Sequence, residues 1–166
     1  MNDICEYYGK LDHIAIAVND LESAVKFYQN ILGFKLVERR KTTGHATSMI
    51  SAVMGTGKDS SFTIVLIEGC EEASQVSRFI KEFGYGVQHV AIKVEDIDVV
   101  AKKLTEQGVQ WATDLIDGGK LKQIFTKRCE KSGVMYEFIE RCENGNAFDD
   151  KNVNNLFSQL ENSDSF

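Results

Sequence analysis

The chain has no proline, so its turns are marked by glycine and polar residues instead. It has no apolar run near the ~20 residues of a membrane span, which excludes a helical membrane protein. Residues 1–10 carry neither a basic nor an apolar region, so no secretory signal is expected there. The four cysteines, Cys5, Cys70, Cys129 and Cys142, form no CxxC spacing. They read as reduced thiols of a cytoplasmic protein rather than a zinc site or a disulfide framework. Excess positive charge is also missing. The net charge is −6, which argues against nucleic acid as a partner, because phosphate binding needs clustered Lys and Arg. The glycines of residues 54–61 lack the spacing of a phosphate-binding loop.

What is present is a repeat. His13-Ile-Ala-Ile-Ala-Val-Asn-Asp20 returns as His89-Val-Ala-Ile-Lys-Val-Glu-Asp96, at a constant offset of 76 residues. Each copy is an apolar, β-branched-rich strand opened by histidine and closed by an aspartate suited to cap a helix. Helical spacing of apolar residues follows over 21–32 and 97–107, and Gly33 and Gly108 end those stretches. Further strands are expected at 34–39, 47–53 and 62–67 in the first unit, and at 109–112, 121–126 and 134–139 in the second. The short basic stretch 35–41 reads as a strand edge. An amphipathic helix over 71–83 connects the units, and a short helix over 153–160 lies in the tail. The fold class is α+β: two βαβββ modules forming one cup-shaped, mixed, mostly antiparallel sheet. The organisation is a lead-in (1–9), a single domain (10–142) with modules at about 10–70 and 85–142, and a tail (143–166) with a lid helix.

Three residues carry the chemistry. His13 and His89 open equivalent strands, so pseudo-symmetry brings them together. Glu137 shares a strand face with Met135 and Ile139, and a carboxylate among apolar neighbours is costly unless it is paired or binds a metal. A single histidine on an apolar strand is more often a core residue; the duplication changes that balance. Two imidazoles and one carboxylate form the facial triad of non-haem Fe(II) oxygenases. His45 reads as polar loop.

The duplicated module with this triad resembles the vicinal oxygen chelate superfamily of glyoxalases, methylmalonyl-CoA epimerases and extradiol and 4-hydroxyphenylpyruvate dioxygenases. The last of these is approached most closely. The resemblance is carried by Gly86-Val-Gln-His-Val-Ala-Ile-Lys-Val-Glu-Asp-Ile97, Gln123-Ile-Phe-Thr-Lys127, Tyr136-Glu-Phe-Ile-Glu-Arg141 and Asn152-Val-Asn-Asn-Leu-Phe-Ser-Gln-Leu-Glu161. It covers residues 10–161 but only the catalytic half of the dioxygenase. It implies an Fe(II)-dependent dioxygenase that oxidatively decarboxylates a 2-oxo acid with O2. Co, Ni, Zn or Mn is the alternative ion. His13, His89 and Glu137 would hold the metal, Gln88 and Gln123 would be catalytic, and Phe125 and Phe157 would line the pocket. For the two phenylalanines, ordinary core packing is an equally good reading. The chain departs from the family at Val153, where the lid helix would start with an aromatic, and at Ile67, where a substrate-facing asparagine would stand.

Two alternatives remain at this point. One is a metal-dependent isomerase or lyase, epimerase-like or glyoxalase-like. Those relatives take a fourth ligand from the first module, where alignment of Ile67-Glu68 with Ile139-Glu140 puts Val65 opposite Glu137. The other is a metal-free binding or resistance protein, which has no need of a triad. No membrane partner is expected, and a homodimer is left open.

Overall fold

The computed structural model describes residues 3–57, 62–142 and 150–166. The expected loop at 54–61 and the first part of the tail lie partly outside these residues. A short 3-10 turn, Asp3–Tyr7, leads into the first module: β1 (Tyr8–Ala17), α1 (Leu21–Asn30), β2 (Lys35–Thr43), β3 (Ser48–Gly55) and β4 (Thr63–Gly69). The linking helix is α2 (Gln75–Phe83). The second module is β5 (Gly86–Val94), α3 (Ile97–Glu106), β6 (Ile116–Asp117), β7 (Leu121–Phe125) and β8 (Met135–Arg141), and α4 (Asp150–Asn162) follows.

The two modules join in one curled sheet of order β2-β3-β4-β1-β5-β8-β7-β6. The β1–β4 and β5–β8 pairs are parallel and the rest antiparallel. This is the mixed cup expected from the repeat. The two modules meet along β1 and β5, the strands that carry the histidines.

The same local chemistry starts both module helices. Asp20 accepts from Ser23 N and Asp96 from Val99 N, each satisfying a helix amide that has no internal partner. The last strand of each module adds a second carboxylate. Glu68 accepts from Leu21 N at 2.6 Å and Glu140 from Ile97 N at 2.8 Å. One face of the sheet then receives α1 through Leu21 and Val25 against Ala52, Met54 and Leu66, and α3 through Ile97 and Val100 against Ile124 and Phe138.

The other face is the concave one. In the first module α2 covers it, with Val76 and Phe79 packed on Ala15, Ala17, Val53, Val65 and Ile67. In the second, α4 covers it, with Leu160 packed on Ala112, Phe125 and Met135. β2 and β6 are the two edges of the sheet, and α4 touches both. It therefore bridges the rims of the cup.

The expected strand at 109–112 is not formed. Trp111 makes a single bridge to Thr126, and the edge strand is the two-residue β6 further on. The ladder stops because side chains take its next hydrogen bonds. The Thr113 hydroxyl accepts from Phe125 N, and Asp114 N donates to Gln159 of α4. The connecting helix starts at Gln75 rather than 71, because Glu71 is turned back to accept from Ser48 N and Oγ. All four cysteines are free. Among the described residues no helix is long and apolar enough to cross a membrane.

Candidate metal centre

β1 and β5 run antiparallel with Ala15 opposite His89 and His13 opposite Ala91. The two histidines are thus diagonal neighbours on one face of adjacent strands, within side-chain reach. β8 lies beside β5 with Glu137 next to Ala91, so Glu137 points to the same place. The Nε2 atoms of the two imidazoles are 3.4 Å apart. Glu137 Oε2 is 3.2 Å from His13 Nε2 and 3.5 Å from His89 Nε2. One ligand atom from each of the three lies within 4.8 Å of the others, and this is the only such His/Cys/Asp/Glu group among the described residues.

The site is enclosed. His13 is 3% exposed and Glu137 2%, and the His89 side chain 14%. Three donor atoms converging in an apolar enclosure need a cation between them, whether a proton or a metal ion. The electrostatics of the three side chains make the same demand. Burial opposes a charge on His13, yet the carboxylates of Glu137 and Asp12 outweigh it and push His13 up to about 9. Burial, then the charges of His13 and Arg128, push His89 well down. The same enclosure thus pushes the two imidazoles in opposite directions.

Each ring is oriented from behind. His13 Nδ1 meets Asp12 Oδ1 at 2.8 Å. Arg141 grips that carboxylate through both oxygens, at 2.8 and 2.9 Å. Burial raises the Asp12 carboxyl, but its bonds to Arg141 and His13 prevail and hold it well below the usual carboxylate range. His89 Nδ1 meets the side-chain oxygen of Gln88 instead. Such partners fix the tautomer and aim Nε2 at a metal. The Phe125 ring stands edge-on to His89, with centroids 5.1 Å apart. The donor set, its convergence and its rear supports all fit a divalent ion.

The other residues singled out from sequence fall around this centre. Gln123 is buried on the same face of β7 as Phe125, and its Nε2 donates to Asn152 O of α4 at 3.4 Å. Phe125 and Phe157 are both 1% exposed. Phe157 sits under α4 beside the β2–β3 turn, where a Cβ on Gly44 would come within 2.7 Å of its ring. Asp12 and Arg141 were not legible as site residues, although Asp12 precedes the first repeat as Gln88 precedes the second.

Comparison with known proteins agrees with this fold. The Glyoxalase/Bleomycin resistance protein/Dioxygenase superfamily pattern matches residues 10–138. Mitochondrial methylmalonyl-CoA epimerase of Homo sapiens is 31% identical over 132 residues, which span 78% of this chain and 72% of that protein. 4-Hydroxyphenylpyruvate dioxygenase of Pseudomonas aeruginosa is 27% identical over 168 residues, covering 81% of this chain and 46% of that enzyme. Among solved structures, a mutant of 4-hydroxymandelate synthase from Streptomyces coelicolor superposes with a TM-score of 0.82 at 22% identity, over 96% of this chain and 55% of that one. The chain therefore spans about half the length of the dioxygenase and the synthase. The repeat, the eight-stranded cup and the pattern match converge: the chain belongs to the Glyoxalase/Bleomycin resistance protein/Dioxygenase superfamily.

Proposed function

We propose that the chain is a non-haem Fe(II)-dependent dioxygenase acting on a 2-oxo acid, with His13, His89 and Glu137 as the metal ligands. One observation carries the reading. Val65 pairs with Ala15 as Glu137 pairs with Ala91, so an aliphatic side chain stands where the second module has its carboxylate. The protein then offers three donors and leaves positions for the carboxylate and ketone oxygens of a 2-oxo acid and for O2. Fe(II) bound there would supply the electron transfer to O2 that side chains cannot provide.

The chain's own residues position and shield. Asp12 and Gln88 hold the two Nδ1 atoms, and Phe125 restricts the His89 ring. Gln123, buried on the same face, would offer its amide to the substrate. α4 spans the rims with Phe157 and Leu160 buried beneath it, and in the lid role proposed for it these two would exclude water. The overall chemistry balances: loss of CO2 from the 2-oxo acid gives two electrons and the oxygenated carbon two more, reducing O2 fully. One oxygen atom enters the new carboxylate and the other the oxygenated carbon.

A second reading, a metal-assisted epimerase, is favoured by the 31% identity to the human enzyme over most of its length. There a metal would stabilise an enolate while a carboxylate moves the proton, without O2. The test is O2 uptake and CO2 release by the Fe(II)-loaded protein across a panel of 2-oxo acids. The dioxygenase reading expects one-to-one stoichiometry with one class of acid. Absence of uptake, with anaerobic deuterium exchange at C2 of methylmalonyl-CoA, would replace it by the epimerase.

A further inference from the structure

Three polar links tie α4 to the rim of the first module: Asp150 meets Arg40 at 3.0 Å, Asn154 accepts from Thr43 N at 3.3 Å, and Glu161 makes the most extensive of the three. Glu161, in the last turn of α4, reaches the β2–β3 turn and accepts from His45 N and Thr47 N at 2.8 Å each and from Ala46 N at 3.4 Å. The Thr47 hydroxyl donates to the same carboxylate. Gly44 N closes the turn on Thr47 O at 2.9 Å. A side chain on Gly44 would collide with Glu161, so the turn is open only because that residue is glycine. For comparison, Glu68 and Glu140 each accept one helix amide. Glu161 takes three consecutive backbone amides and a hydroxyl, the concave arrangement of donors that binds anions.

We propose that residues 44–47 form a carboxylate receptor whose resident ligand is Glu161, and that this receptor is a releasable fastening of the C-terminal end of the helix over the candidate metal site. Its functional weight rests on the proposed lid role of α4. The fastening is releasable because the His45 and Ala46 amides lie at the surface, where water can replace the carboxylate, while the Thr47 bonds are part-buried. Release has a defined consequence. Phe157 and Leu160 lie one turn back and one residue back from Glu161 and are the buried apolar residues of the helix's second half. Leu160 packs on Phe125, which stands against the His89 ring. Lifting Glu161 therefore withdraws the cover from a ring in contact with a proposed ligand. Bonds from Thr47, His45 and Ala46 outweigh burial and keep Glu161 below the ordinary carboxylate range, so it stays an anion when docked.

Hydrogen exchange of the full chain tests this without metal or substrate. In Glu161→Ala the amides of residues 150–162 should exchange about 10-fold faster or more than in the wild type, with Glu161→Gln between the two. The amides of β1 and β5 serve as the control and should not change. If Glu161→Ala loosens the whole fold, Glu161→Gln decides. The receptor left empty in Glu161→Ala should also bind acetate in excess, seen as amide shifts at His45 and Thr47 that the wild type does not give. Wild-type exchange of α4 in both variants, or no acetate shifts at those amides, would overturn the proposal. These readouts use neither O2 nor a 2-oxo acid, so their failure and that of the dioxygenase reading are distinguishable.

Discussion

The two modules of this chain share a scaffold and divide the chemistry. Each starts its helix with an aspartate cap and a carboxylate from its last strand. Each places one histidine on the strand at the pseudo-symmetric centre. They then diverge at two positions around that centre and at the sheet's edges. Glu137 faces Val65 across the pseudo-dyad, Gln88 corresponds to Asp12, and the two-residue β6 corresponds to the nine-residue β2. Structural roles are carried in duplicate, while the third member of the candidate metal group comes from the second module alone. The first module's concave face is occupied by α2 and has become core.

The most drastic way to break this division is to remove a donor. His89→Ala or Glu137→Ala should weaken divalent metal binding by more than about 100-fold, since loss of an outer-shell partner alone costs about 10- to 100-fold. Equilibrium titration with Co(II) measures it, and near wild-type affinity in either variant would remove that residue from the site.

The next comparison is between the supports behind the two histidines. Asp12→Asn should cost about 10- to 100-fold in metal affinity, because it removes a charged acceptor and leaves Arg141 without its bidentate partner. Gln88→Leu removes a neutral acceptor and should cost less. Equal losses would show that the charge behind His13 has no special weight.

Restoring symmetry is the sharper test. Val65→Glu puts a second carboxylate on the concave face, at the position equivalent to Glu137. Without metal it should destabilise the fold by about 1–3 kcal/mol, the cost of an unsatisfied buried polar group, and metal should recover the loss. Thermal unfolding with and without metal is the measurement. A fourth donor should also abolish binding of a 2-oxo acid while metal affinity is kept.

The smallest effect concerns the duplicated scaffold. Asp20→Ala and Asp96→Ala should each cost about 1 kcal/mol, equivalent to about 2–4 °C in a chain of this size. If one costs far more than the other, the caps are not equivalent.

Much of the fold was legible because the repeat fixes it twice. The offset between His13 and His89 gave the element order of both modules, and apolar spacing gave both module helices. Glu137 was legible because a carboxylate between Met135 and Ile139 needs a reason. The edge strand at 109–112 was misplaced because the competition that ends it comes from Thr113 and from Gln159, distant in sequence. Asp12, Arg141 and Glu161 were missed for a related reason. Each is an ordinary charged residue in the sequence, and its meaning comes from a partner that only folding supplies: His13 for Asp12, Asp12 for Arg141, and the β2–β3 turn for Glu161.

Anaerobic titration of the Fe(II)-loaded protein with a panel of 2-oxo acids, followed by optical spectroscopy, tests the central claim most directly. A three-donor site predicts a visible charge-transfer band with one class of acid, absent when Glu137 is replaced by Ala. No band with any acid, together with methylmalonyl-CoA binding to the metal-loaded protein, would contradict it.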